Sequence, residues 1–167
     1  MVTCDRRVFT IKINLLEKNA RYTIADLSTM LGISGDEVRK EIESLKKAGL
    51  IRGFKTVIDW ERLDSAYVSA LIELKVTPQP DAGFEEVAKK VMKYDEVETV
   101  YLMSGGFDLC VMVTGKTFQE VAMFVGKVLA PMDNVISTAT HFVLRRYKEM
   151  DVILCDDEGD DRGSISL

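Results

Sequence analysis

Apolar residues recur at helical spacing over the first 50 positions of the chain and change to strand-like runs beyond position 67. Val8, Ile11, Leu15 and Leu16 mark one face of a helix from Arg7 to Lys18. Asn19-Ala20-Arg21-Tyr22 interrupts it. Thr23-Ile24-Ala25-Asp26 then reads as a capping box, whose hydroxyl and carboxylate satisfy the unpaired amides of a helix start. Ile24, Leu27 and Leu31 give a short second helix its apolar stripe, and Gly32 suits the left-handed turn that ends it. Two residues later Ser34-Gly35-Asp36-Glu37 repeats the capping signal. The third helix turns Val38, Ile42 and Leu45 inward and Arg39, Lys40, Glu43, Lys46 and Lys47 outward, until Gly49 stops it. Leu50 to Ile58, β-branched and broken by Gly53, predicts a β-wing.

Residues 59–66 read as a linker containing one helical turn. Beyond it the pattern predicts a strand from Tyr67 to Val76, ended by Thr77-Pro78-Gln79-Pro80. A helix follows over Phe84–Tyr94, with Phe84, Val87, Ala88, Val91 and Met92 inward. Strands over Val97–Met103 and Phe107–Val113 flank the turn Ser104-Gly105-Gly106. A second helix spans Thr117–Leu129, with Phe118, Val121, Ala122 and Val125 inward, and a long last strand runs from Val135 to Tyr147. The order β-α-β-β-α-β is the split βαβ, ferredoxin-like plan. Val152 to Leu154 would add a short edge strand. The expected fold is α+β: a winged helix-turn-helix domain over 1–58, a linker over 59–66, a βαββαβ domain over 67–150 and an acidic tail over 151–167.

Composition adds little until it is divided by segment. Apolar residues are 47% and charged residues 29% of 167, an ordinary globular balance. The net charge of −5 argues at first against nucleic acid, but residues 1–58 hold 11 Lys/Arg against 7 Asp/Glu. Residues 59–150 hold 10 against 14, and the tail holds 1 against 6. A basic head on an acidic body is the distribution expected of a DNA-reading unit joined to another function. No stretch reaches the roughly 20 apolar residues of a membrane span, and residues 1–7 lack a signal core, so a cytoplasmic protein is expected. Cys4, Cys110 and Cys155 are too scattered for a disulfide framework or metal ligation, and His141 is the only histidine, so no metal or other cofactor is expected. His141 reads as an interfacial or core side chain.

Two short helices joined by a glycine-containing turn can place the second in the major groove of double-stranded DNA, although the same periodicity suits a small helical subdomain that merely packs. The exposed residues of that helix then become the candidate contacts: Ser34 and Asp36 at its start, Arg39, Lys40 and Glu43 at base edges, and Lys46 beyond. Arg52 and Lys55 in the wing suit phosphates. From Ser34 to Ala48 four basic residues are cancelled by Asp36, Glu37, Glu41 and Glu43, which predicts weak non-specific affinity. In the body, Ser104-Gly105-Gly106-Phe107-Asp108 combines a glycine turn, whose successive amides can bind an anion, with one carboxylate. An α-amino acid carries the two matching charges. By themselves, these residues fit an ordinary hairpin with a solvated aspartate better than a ligand site.

The strings Leu31-Gly32-Ile33-Ser34, Val38…Ile42…Leu45 and Ala48-Gly49-Leu50-Ile51-Arg52-Gly53-Phe54 resemble the Lrp/AsnC family of leucine-responsive regulatory proteins. The resemblance extends in order from residue 7 to about 148, with Glu41 and Ser44 standing where the family commonly has basic residues. It implies a DNA-binding transcription regulator, not an enzyme. It also implies an effector pocket at Ser104, Gly105, Phe107 and Asp108, joined by Thr138 and Thr140 of the last strand, bordering a neighbouring subunit and often taking an amino acid. Homodimers built through the sheets and assembled into octamers are implied as well. An enzyme branch resembling siroheme decarboxylases carries a His-x-Tyr-Asn string near the turn held here by Ser104 to Phe107, where histidine is absent. A third reading is a sensor or scaffold of the same fold that has lost DNA binding.

Overall fold

The computed structural model describes residues 13–63, 67–78 and 83–155. The chain divides into two compact units, Met1–Thr56 and Val57–Leu167.

In the first unit, helix α1 covers residues 13–18; the preceding part of the expected helix lies outside the described residues. Helix α2 (Ile24–Leu31) and helix α3 (Gly35–Lys47) both begin with the capping box that their sequences predict. The Asp26 amide donates to the Thr23 hydroxyl at 3.1 Å, and the Thr23 amide donates to the Asp26 carboxylate at 2.8 Å. Ser34 and Glu37 repeat the exchange, at 3.3 and 2.8 Å. Between the helices Gly32 sits at φ 64°, where a side chain would be strained although nothing crowds its Cβ position. The Ser28 hydroxyl donates to the Ile33 carbonyl and closes the same turn. Leu27, Val38 and Leu45 are the buried contacts that hold α2 on α3, each about 2% exposed.

The wing departs from expectation, for residues 51–59 form no strand. The Leu50 and Ile51 amides both return to the Leu45 carbonyl, at 3.0 and 3.3 Å, so the start of the segment closes the end of α3. Residues 52–56 are exposed and lack the packed face that would favour a paired ribbon.

The second unit begins with a 3₁₀ turn at Trp60–Arg62 and then builds one antiparallel sheet. Its strands are β1 (Val68–Val76), β2 (Val97–Leu102), β3 (Leu109–Gly115) and β4 (Val135–Phe142), in the order β2-β3-β1-β4. This is the expected ferredoxin-like arrangement. In register, Ile72 lies between Val111 and Thr140, and Leu74 between Leu109 and Thr138. Because successive side chains alternate faces, Ala70, Ile72, Leu74 and Val76 all point to one side. There they are buried with Leu109, Val111 and Val113 beneath helices α4 (Glu85–Val91) and α5 (Phe118–Phe124). A π-helical turn, Val125–Leu129, prolongs α5 and buries Val125 and Leu129.

Three residues expected inside lie outside: Met92 (58% exposed), Phe118 (55%) and Ala122. Each helix is only seven residues long, and the single stripe that meets the sheet is Val87/Val91 in α4 and Val121/Phe124 in α5. Phe118 instead packs edge-on against Phe142 at 4.9 Å. The last strand stops at Phe142, not Tyr147. After it, β5 (Lys148–Glu149) and β6 (Val152–Ile153) form a separate hairpin. Its two turn residues, Met150 and Asp151, both have positive φ and lack the Asn-Gly signature of such turns.

Replacing Ser34 with Ala should destabilise the head by about 1 kcal/mol, read by thermal unfolding followed at the helical ellipticity. The hydrogen bonds from Thr23 hold the Asp26 carboxyl below its ordinary value of 3.8. This depressed folded pKa contributes stability that is complete above 3.8 and lost as pH falls through the lower, folded value. The acid-induced drop in head stability should therefore flatten in Asp26→Asn.

Candidate functional site

Helix α3 presents one exposed stripe, opposite its buried Val38 and Leu45. Asp36, Arg39, Lys40, Glu43, Lys46 and Lys47 are all exposed along it. The stripe is internally paired: Arg39 reaches Asp36 at 2.7 Å and Lys46 reaches Glu43 at 3.1 Å. Ser34 is committed to the helix cap. Arg52 folds back toward the end of α3, where its guanidinium would lie 3.2 Å from a Cβ on Gly49. This position places a cation at a helix C-terminus, where the dipole favours it. Lys40 and Lys55 are exposed. The DNA-facing candidates thus share one helix face and its exit, and two of their five cations, Arg39 and Lys46, are paired within that face.

In the second unit, Ser104, Gly105 and Gly106 form the exposed β2–β3 turn. Gly105 has φ 146°, a conformation that disfavours a side chain. The turn is closed by the Met103 amide donating to the Asp108 carbonyl at 2.8 Å. Among the described residues, the backbone amides of Ser104 to Phe107 have no backbone acceptor and remain available to an anion. Asp108 is half-buried and already has a structural duty. Its Oδ2 accepts from the Val76 amide at 2.7 Å, at the point where β1 and β4 shift register, and its own amide donates to the Leu74 carbonyl at 3.0 Å. Thr138 is the register partner of Leu74, so the structure brings Asp108 and Thr138 to opposite edges of the same stretch of β1. Thr140 lies two pairs further along, on the same helix-covered side. Both threonines are half-buried.

Among the described residues of the second unit, both helices pack on that side and none covers the opposite face of the sheet. Leu71, Glu73, Cys110 and Met112 lie there on neighbouring strands, with Tyr101 beside Cys110 and His141 beside Leu71. His141 Nε2 is 3.3 Å from Glu73 Oε1. Burial, then the Glu73 charge, raises the Cys110 thiol above its ordinary pKa and keeps it in the unreactive protonated form. No group of His, Cys, Asp and Glu among the described residues could hold a metal ion.

A cluster that sequence reading missed lies at the junction of Trp60, Tyr67, Ser69 and Arg146. Trp60 stacks on Tyr67 at 4.9 Å, and the Arg146 guanidinium lies over the other ring at 5.0 Å. Arg146 Nη2 donates to the Ser69 hydroxyl at 2.9 Å. Burial raises the Tyr67 hydroxyl above its ordinary pKa, against the opposing pull of Arg146. Separations of 77 and more residues gave no local signal for this cluster.

A capped helix pair followed by an antiparallel split βαβ sheet is the two-domain plan of the described chain. Residues 13–52 match the winged helix-turn-helix DNA-binding model, and residues 69–153 match the Lrp/AsnC ligand binding domain. The chain is 41% identical over 137 residues to the Bacillus subtilis protein named uncharacterized HTH-type transcriptional regulator YugG, covering 81% of this chain and 82% of that one. It is 25% identical over 142 residues to the leucine-responsive regulatory protein of Haemophilus influenzae, covering 85% of each. Solved structures of the same fold include the NMB0573/L-Met complex from Neisseria meningitidis, with TM-score 0.70, 23% identity and coverage of 88% and 94%. E. coli AsnC gives 0.67, 22%, 89% and 97%. The chain belongs to the Lrp/AsnC family. It is a DNA-binding transcription regulator of that type, not an enzyme, and its second domain is the family's ligand-binding domain.

Asp108→Ala would leave the Val76 amide without its acceptor at the register shift. A loss of about 1–3 kcal/mol is expected in chemical denaturation, since an unsatisfied buried donor costs that much.

Proposed function

We propose that α3 enters the major groove of double-stranded DNA, with Arg39 and Lys40 at base edges and Glu43 accepting from cytosine. Lys46, Arg52 and Lys55 would meet phosphates, while Ser34 and Asp36 set the helix start. The observation that carries this reading is the exposed stripe of α3 behind a buried Val38/Leu45 anchor. Asp36 and Glu43 stand in the stripe and repel phosphate, so each head binds weakly, although their pairs with Arg39 and Lys46 open readily. Exposed pairs of this kind are worth only about 0–1 kcal/mol, which makes opening cheap.

The effector site in this reading is the β2–β3 turn. Amides around Ser104, Gly105 and Phe107 receive an anion, and Asp108 Oδ1 receives a cation while Oδ2 keeps the Val76 amide. Thr138 and Thr140 supply hydroxyls nearby. That pair of charges suits an amino acid, and the L-methionine complex of the Neisseria relative supports the same class. The uncovered sheet face, with Leu71 and Met112 at its centre, meets the same face of a second copy, and four such dimers form an octamer. The protein acts in the cytoplasm, where its DNA is.

A salt-dependent titration on DNA from upstream of the gene tests the first half. Affinity should fall as salt rises, with a slope near 0.9 per phosphate contact. The double variant Arg39→Ala/Lys40→Ala should lose sequence preference while keeping its oligomeric mass. Asp36→Asn, which releases Arg39, should bind more tightly than the wild type. An absence of sequence preference even at low salt would overturn the proposed contacts.

A further inference from the structure

Outside the turn just described, the second unit contains a cleft of about 80 Å³ at the junction of the 3₁₀ turn, the start of β1 and the segment after β4. One wall carries the carboxylates of Asp59 and Glu61, and another carries the Arg146 guanidinium with the Ser69 hydroxyl. Both signs of charge therefore converge on one small space. Arg146 is held in place: its side chain is 17% exposed, its Nε is 3.4 Å from Glu149, and its amide donates to Glu61 Oε1 at 3.0 Å. Ser69 is the one buried polar residue of the described chain, at 4% exposure. The remaining lining is apolar, from Trp60 and Tyr67 on one side to Val143 and Leu154 on the other. The space is well below a drug-sized pocket.

We propose that this cleft is a second ligand site, specific for a small zwitterion that carries an ammonium and a carboxylate a few atoms apart, of the size of glycine, alanine or serine. Asp59 is committed to Arg62 at 3.0 Å and to the Glu61 amide at 3.1 Å, so the ammonium faces Glu61, whose Oε1 also accepts from the Arg146 amide. The carboxylate faces Arg146 and Ser69, in a charge-assisted contact of the stronger kind. A short side chain fills the space against Val143 and Leu154, whereas leucine or methionine is too large. The site is distinct from the β2–β3 turn and shares no residue with it. It lies on the first elements of the second unit, so occupancy would brace the 3₁₀ turn against β1. The proposal shares with the effector reading only the class of ligand, and the two sites can fail separately.

Trp60 is the only tryptophan in the chain and forms part of the cleft wall, so its fluorescence reports on the site directly. The full-length protein is titrated with glycine, L-alanine, L-serine and L-leucine up to about 10 mM, the weak end of specific binding. A saturable emission change is expected with at least one of the three small amino acids. L-leucine should give none, and neither should acetate nor methylammonium alone. Glu61→Gln, at an exposed position, should weaken the response by about tenfold or more, as expected for loss of a charged hydrogen-bond partner. Ser69→Ala should weaken it independently. Asp108→Asn should leave it intact even if it abolishes a thermal shift by a larger amino acid. Flat emission with all three small amino acids would overturn the proposal. So would a response that survives Glu61→Gln unchanged and disappears in Asp108→Asn, because the signal would then come from the β2–β3 turn.

Discussion

Strand β1 is the constraint on which the second domain depends. It lies between β3 and β4, and its alternate residues Ala70, Ile72, Leu74 and Val76 are almost completely removed from water. Burying such side chains contributes about 1.5–3 kcal/mol each, so the helix-side face is fixed. The period of two then decides the other face, where Leu71 and Glu73 emerge beside Met112 and Cys110, away from the described helices of the second unit. A half-apolar sheet face of this kind calls for a partner, which is why the proposed dimer follows from the same strand that makes the core. The end of β1 also anchors the β2–β3 turn, because Asp108 bonds to Leu74 and Val76 at once. One residue therefore joins fold integrity to the proposed effector site.

The head reaches its function by a different balance. Its helix start and turn are set by local hydrogen bonds, from Thr23 and Ser34 and the backbone freedom of Gly32, and need few buried contacts. Helix α3 as a whole carries as much negative as positive charge, so electrostatic attraction to a phosphate backbone is small for one head. Joining two or more heads through the sheet domain raises the effective concentration of the second contact. In this account assembly supplies the affinity, and the few unpaired or releasable cations supply the reading of sequence.

Much of this was legible from the residues because it is local. Both capping boxes, the Gly32 turn and the order of strands and helices depend on neighbours within four positions or on simple period. The failures share a cause in tertiary context. Phe118 and Met92 look like core residues by spacing, but a seven-residue helix meets the sheet with only one stripe. The wing pattern was β-like, yet Leu50 and Ile51 spend their amides on the end of α3. The β5–β6 turn uses Met150 and Asp151, residue types that do not advertise positive φ. At the sites, the string around Asp108 was visible, but its bond to Val76 was not. The Trp60–Tyr67–Arg146 cluster gave no signal at all, since it joins residues from opposite ends of the second domain.

The central claim is that weak heads become an effective DNA reader by pairing through the open sheet face. Sedimentation equilibrium combined with DNA titration of Met112→Arg tests it most directly, because a buried, unpaired charge would break that contact without touching α3. The account predicts a wild type that sediments as a dimer or a multiple of one. The variant should be a folded monomer whose affinity for the same DNA falls by about a hundredfold or more. A monomeric variant that binds as tightly as the wild type would contradict it.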